Sequence, residues 1–103
     1  MIYLLQLHNG DRDMPPYNII ATAMKEAALE AQAVLRAWIT EGENIAAKSK
    51  PGKNEWSERH QLVTEYHKAT PYPFPGGPTF DYVYLGDGWS LEIEEVPVYA
   101  NQG

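Results

Sequence analysis

The sequence predicts an α+β fold in which an antiparallel sheet of about four strands carries two helices packed on one face. Three observations predict it: β-rich segments stand at both ends of the chain, helical periodicity fills its middle, and turn signals join neighbouring segments. The predicted order is strand, strand, helix, helix, strand, strand. A chain of 103 residues without cysteine is expected to fold as a single domain, residues 1–103, without disulfides or a cofactor.

The N-terminal strand pair is predicted from β-rich residues on either side of a turn. Ile2 to His8 has apolar residues on both faces, which is typical of a strand covered on much of both sides. Asn9-Gly10 is a strong hairpin signal, since both residues tolerate positive φ. Pro15-Pro16 delays the return strand, which is predicted at Asn18 to Ala21.

The first helix has the clearest periodicity in the chain. Thr22 can cap its N-terminus, and Gly42 is expected just past its end as a C-cap. Residues 41–55 then lose the periodicity and are predicted to be a mobile loop. The predicted inward face of the helix consists of Met24, Ala27, Ala28, Ala31, Val34, Leu35, Trp38 and Ile39.

A second helix is predicted from Glu55 to about Ala69, with Asn54 as its cap and Thr70-Pro71 as its end. Residues 71–78 contain too many prolines for a helix or a central strand, so they are predicted to be an extended connector. The predicted inward residues of the second helix are Trp56, Leu62, Val63 and Tyr66.

The C-terminal third is predicted to be a strand pair, Phe80 to Leu85 and Trp89 to Val98, joined by a turn at Gly86-Asp87-Gly88. In the second strand the apolar residues alternate with polar ones, which places Glu92 and Glu94 on the face opposite Leu91 and Ile93. At Glu94-Glu95 the apolar alternation slips, which predicts either a β-bulge or the end of the strand.

Charge is segregated along the chain. From Pro71 onward there is no Lys or Arg and the segment carries −5 of the net −6, whereas residues 45–70 carry +2. If the helices cover the face of Leu91, then Glu92 and Glu94 stand on a bare face, beside either Tyr82 and Tyr84 or Val83 and Leu85, depending on register. Tyrosines among carboxylates are typical of a protein interface, whereas a merely solvated face would also account for them.

Motifs for catalysis are scarce, and no catalytic or metal-ligating residue is assigned. The sequence has no phosphate-binding Gly-rich loop before a helix and no His-Glu-x-x-His. The segment His8 to Asp13 could bind a divalent cation or transfer protons, although turn-forming and solubilising roles suffice to explain these residues. The enzyme or cation-binding hypothesis is therefore the alternative, not the favoured one.

Two further partner classes are weighed from local composition. Lys48, Lys50 and Lys53, with Trp56 nearby, could contact a nucleic acid, but neighbouring glutamates disfavour that partner. The apolar run at the N-terminus is too short to span a membrane or act as a signal peptide, so a cytoplasmic protein is expected.

The layout resembles that of many small acidic proteins of phages and other mobile elements. The resemblance is carried by a short N-terminal strand, an Ala-rich helix, a second helix and a closing aromatic and acidic strand, Trp89 to Val96. It implies a non-enzymatic inhibitor, such as an anti-CRISPR protein, that occludes a surface of a host complex. The expected partner is a protein with a basic surface, or a second copy of the chain. The resemblance transfers no residue set. The acidic sheet face and the Pro-rich segment supply the candidate partner-binding residues, which are Tyr72, Phe74, Tyr82, Tyr84, Glu92 and Glu94.

Overall fold

The computed structural model of the chain describes residues 1–8, 15–75 and 88–97. Within these residues the fold is α+β, with two helices and a three-stranded antiparallel sheet. The predicted strand at residues 80–85 lies outside the described residues, so a four-stranded sheet stays a prediction. The elements in chain order are β1 (Ile2–His8), β2 (Tyr17–Thr22), α1 (Lys25–Ala46), α2 (Glu55–Ala69) and β3 (Ser90–Val96).

The strand order is β2-β1-β3, with β1 in the centre. β1 pairs with β3 without a register shift, from Ile2 opposite Val96 to His8 opposite Ser90. The predicted bulge at Glu94-Glu95 is therefore wrong. The ladder with β1 continues through both glutamates, and the Val96 side chain at the end of the strand is 36% exposed.

The irregularity of the sheet lies in the other strand pair. Leu5 is opposite Ile20, but Gln6 is opposite Asn18, so Ile19 is an extra residue in β2. An extra residue of this kind is a β-bulge, which bends its strand and re-aims the side chains that follow. In this sheet it brings the Asn18 side chain to the same face as Gln6.

The chain divides into two compact units, Met1–Ala33 with Leu85–Gly103, and Val34–Tyr84. In the first unit the core lies between the sheet and the beginning of α1. Leu7 is fully buried opposite Leu91, and Gln32 of α1 donates from Nε2 to the carbonyl oxygen of Leu91 at 2.9 Å. The helix thus covers the sheet face that carries these leucines. The other buried apolar residues of the unit are Leu5, Ala28 and Ala31.

The second unit is a helix pair with an aromatic core. The indole Nε1 of Trp38 donates to the carbonyl oxygen of Thr70 at 2.8 Å, and the Tyr66 hydroxyl donates to the carbonyl oxygen of Trp38 at 2.8 Å. Both side chains are almost fully buried, and each bond gives the polar group of its ring a hydrogen-bond partner within the fold. The other buried apolar residues are Leu35, Ile39, Ala46 and Val63.

Helix α1 is longer than predicted. It continues through Gly42, which is buried inside it, and ends at Ala46, so both the predicted C-cap and the predicted loop start at residue 41 are wrong. Ile45 and Ala46 extend the inward stripe, and their packing outweighs the propensity cost of about 1 kcal/mol for a helical glycine. The connection between the helices is confined to residues 47–54.

The predicted bounds of α2 and the inward positions of Val63 and Tyr66 are confirmed. Three residues predicted to face inward are instead exposed: Met24 by 62%, Val34 by 44% and Trp56 by 46%. Met24 precedes α1, and Val34 lies about 100° around the helix from the buried stripe at Leu35. Trp56 lies in the first turn of α2, before the first buried residue of that helix.

Candidate protein-interaction face

The candidate site is the side of the sheet opposite the buried leucines, here called the outer sheet face. Successive side chains of a strand point to opposite faces, so the even-numbered residues of β1 and β3 share this side. The register places Leu4 opposite Glu94, Gln6 opposite Glu92, and His8 opposite Ser90. The outer sheet face is formed by Leu4, Gln6, His8, Asn18, Ser90, Glu92 and Glu94.

Hydrogen bonds across the three strands orient the polar side chains of this face. Gln6 Nε2 donates to Asn18 Oδ1 at 3.1 Å, and His8 Nε2 lies 2.9 Å from Glu92 Oε2. The side chains of His8 and Glu92 are 37% and 60% exposed, so this pair contributes at most about 1 kcal/mol to stability. It orients the two groups more than it stabilises the fold.

The outer sheet face contains a shallow, open depression of about 400 Å³. Glu94 is exposed there and makes no ion pair with any described residue. Glu92 shares its carboxylate with His8 and keeps a second oxygen for a partner. A guanidinium or ammonium group could therefore find acceptors on both glutamates. The depression is lined by Gln6, His8, Glu92, Ile93 and Glu94.

The face also holds the residue types of a hydrolytic triad. Ser90 lies directly opposite His8, and His8 contacts Glu92. However, among the described residues no hydrogen bond joins Ser90 to His8. The side chains of this face supply charged and hydrogen-bonding groups on one side of the sheet.

Of the candidate partner-binding residues, Glu92 and Glu94 are brought together on the outer sheet face. Tyr82 and Tyr84 lie outside the described residues. Tyr72 and Phe74 belong to the second unit, where the Tyr72 ring lies 5.4 Å from that of Trp38 and 5.6 Å from that of Phe74. Burial raises the pKa of the Tyr72 hydroxyl, as expected for a ring that packs within the fold.

Sequence reasoning missed Gln6, His8 and Asn18 as members of the site. The neighbour of the acidic strand was expected to be the segment 80–85, whereas the described neighbour of β3 is β1. One signal was present: Gln6 and His8 are the polar residues of β1, and both stand at even positions like Glu92 and Glu94.

The cation-binding and membrane hypotheses can be compared with the structure only for the residues that it describes. Within residues 1–8, 15–75 and 88–97 no three His, Asp or Glu side chains are grouped so that they could hold a metal ion. Residues 9–13 of the proposed cation-binding segment lie outside those ranges. None of the helices in the described part of the chain is long and apolar enough to cross a membrane.

Comparison of the chain with protein-family models, with curated proteins and with solved structures finds no match.

Proposed function

We propose that the protein is a non-enzymatic protein-binding module whose outer sheet face engages a basic surface on its partner. One observation carries the proposal. Side chains alternate along β3, so Glu92 and Glu94 are exposed on one face of the sheet while the core residue Leu91 is buried on the other. A phage-encoded inhibitor that occludes a host protein, as anti-CRISPR proteins do, is the concrete form of this function that we favour.

The chemistry of the face supports a cationic partner. Two carboxylates two residues apart on one strand present several acceptor oxygens on the same side of the sheet. The amides of Gln6 and Asn18 add neutral hydrogen-bonding groups beside them, and Leu4 adds apolar surface. Charge at such a surface steers encounter and fixes orientation, while the apolar and amide groups contribute close contact. Tyr82 and Tyr84 as additional members of the surface stay a prediction.

Charge reversal on the two faces of one strand tests the proposal. The double variant Glu92→Lys with Glu94→Lys should weaken binding of a labelled arginine-rich peptide about ten-fold or more, because attraction becomes repulsion. It should also lose any protein that the wild type captures from extracts of the native host. Glu95→Lys alters the same strand on the other face, so it should leave binding nearly unchanged.

A second control separates local from global charge. Glu26→Lys with Glu30→Lys changes two exposed positions of α1 and gives the same net charge as the β3 double variant. If both double variants weaken peptide binding equally, the interaction senses only net charge and the outer sheet face has no specific role. Measuring the mass of the wild type in solution will show whether a second copy of the chain is itself the partner.

A further inference from the structure

The connection between the two helices presents a cluster of uncompensated positive charge, here called the basic loop, residues 47–54. Lys48, Lys50 and Lys53 are all exposed, and none forms an ion pair with any described residue. Glu58 does contact this loop, but it accepts from the backbone N–H of Lys50 at 3.3 Å and not from an ammonium group. The lysine charges therefore remain available to a partner.

An exposed indole follows the basic loop by two residues. Trp56 is 46% exposed in the first turn of α2, and its ring makes an edge-on contact with that of His60, at 6.0 Å between centroids. Tryptophan offers a large, rigid π surface on which a nucleobase can stack. The helical pattern predicts that this ring faces inward, whereas the structure leaves it exposed.

The local charge balance favours an anionic ligand although the whole chain is acidic. Between residues 47 and 60, four positive side chains face two negative ones, the fourth cation being Arg59. Phosphate oxygens are natural partners of unpaired ammonium groups, and their attraction acts within about 10 Å, the screening length at moderate salt. For the attraction of an anionic ligand to this surface, the local excess of positive charge therefore matters more than acidic residues elsewhere in the chain.

We propose that the basic loop and Trp56 form a binding surface for single-stranded nucleic acid. The lysines contact successive phosphates, and the indole stacks on an unpaired base. A duplex would fit poorly, because its bases are already stacked on one another and do not reach the ring. This surface is made of residues other than those of the outer sheet face, so the two proposals stand or fall independently.

Fluorescence polarisation with labelled thymidine and uridine oligomers of about 12 nucleotides tests the surface. Both should bind at about 20 mM salt, and the logarithm of the affinity should fall against that of the salt concentration with a slope of about −2, from three phosphates. Trp56→Ala should weaken binding about ten-fold, and Trp56→Phe should restore most of the loss. A difference between the two oligomers would identify which sugar the surface prefers.

Matched lysine variants locate the contact. Lys50→Ala with Lys53→Ala should lower affinity and reduce the salt slope by more than half, whereas Lys25→Ala with Lys68→Ala removes the same charge elsewhere and should do neither. Unchanged thermal melts would show that all these variants fold. Three outcomes would overturn the proposal: no binding to either oligomer at low salt, equal losses in the two lysine pairs, or displacement by a poly-glutamate peptide as potent as by unlabelled oligomer.

Discussion

Two adjacent leucines of β1 occupy opposite environments, and truncating each of them measures which face of the sheet is covered. Leu5 has no exposed surface and lies opposite Ile93 and Ile20, whereas Leu4 is partly exposed opposite Glu94. Shortening a fully buried leucine to alanine costs about 3 kcal/mol, from lost burial and from the cavity that remains. For Leu4→Ala we expect about 1 kcal/mol, since water already reaches part of that side chain and no closed cavity forms.

These free energies correspond to separable melting temperatures. In a domain of this size each kcal/mol lowers Tm by about 4–8 °C, so Leu5→Ala should lose about 12–24 °C and Leu4→Ala about 4–8 °C. Circular dichroism melts give Tm, and urea titrations with an unchanged m-value would show that the difference lies in the folded state. Both changes replace leucine with alanine in the same strand, so strand propensity largely cancels between them.

Equal losses in the two variants would refute the assignment of faces. They would mean that β1 is covered on both sides and that the outer sheet face is not available to a partner. The same result would remove the structural basis for the binding role of Glu92 and Glu94. A larger loss of stability for Leu4→Ala than for Leu5→Ala would mean that Leu4, and not Leu5, lies on the buried face of the sheet.

Two more predictions concern titration and metal binding. Burial, with a contribution from the Glu41 carboxylate, raises the pKa of the Tyr66 hydroxyl above 10.0, so the unfolded chain loses this proton first. The stability of the wild type should therefore fall as pH rises above about 10. Tyr66→Phe should be about 1 kcal/mol less stable than the wild type at neutral pH, because it lacks the hydroxyl. Its Tm should fall less steeply with rising pH than that of the wild type. Asp11→Ala with Asp13→Ala should melt at the same temperature with and without Mg²⁺ or Ca²⁺, as should the wild type. Stabilisation of the wild type alone by either ion would favour the cation-binding alternative.

Local sequence patterns predicted the features that depend on residues close together in the chain. The bounds of α2 follow from a helical segment between turn residues, and the structure places them at Glu55–Ala69. The alternation of β3 was equally readable, since Leu91 is buried and Glu92 and Glu94 are exposed. A strand has a side-chain period of two residues, so its own sequence states which residues share a face.

Predictions failed where a local preference competed with packing. Gly42 favours a helix end, yet α1 continues because the next inward residues are buried against the core. The apolar alternation at Glu94-Glu95 suggested a bulge, yet the ladder with β1 proceeds without a shift. Trp56 is the converse case: this large apolar residue is predicted to face inward but is 46% exposed, and the buried residues of α2 come only later in the helix, at Val63 and Tyr66.

The sequence by itself determined the charge segregation, the bounds of α2 and the alternation that places Glu92 and Glu94 on the face of β3 away from Leu91. Only the tertiary structure decided that β1 is the described neighbour of β3, and hence that Gln6 and His8 stand beside those glutamates. It also decided that the lysines of the basic loop remain unpaired next to an exposed Trp56. The physical reason is that strands pair through backbone groups that every residue carries. The choice of neighbour therefore depends on which surfaces the whole fold can bury, and not on the pattern within either strand.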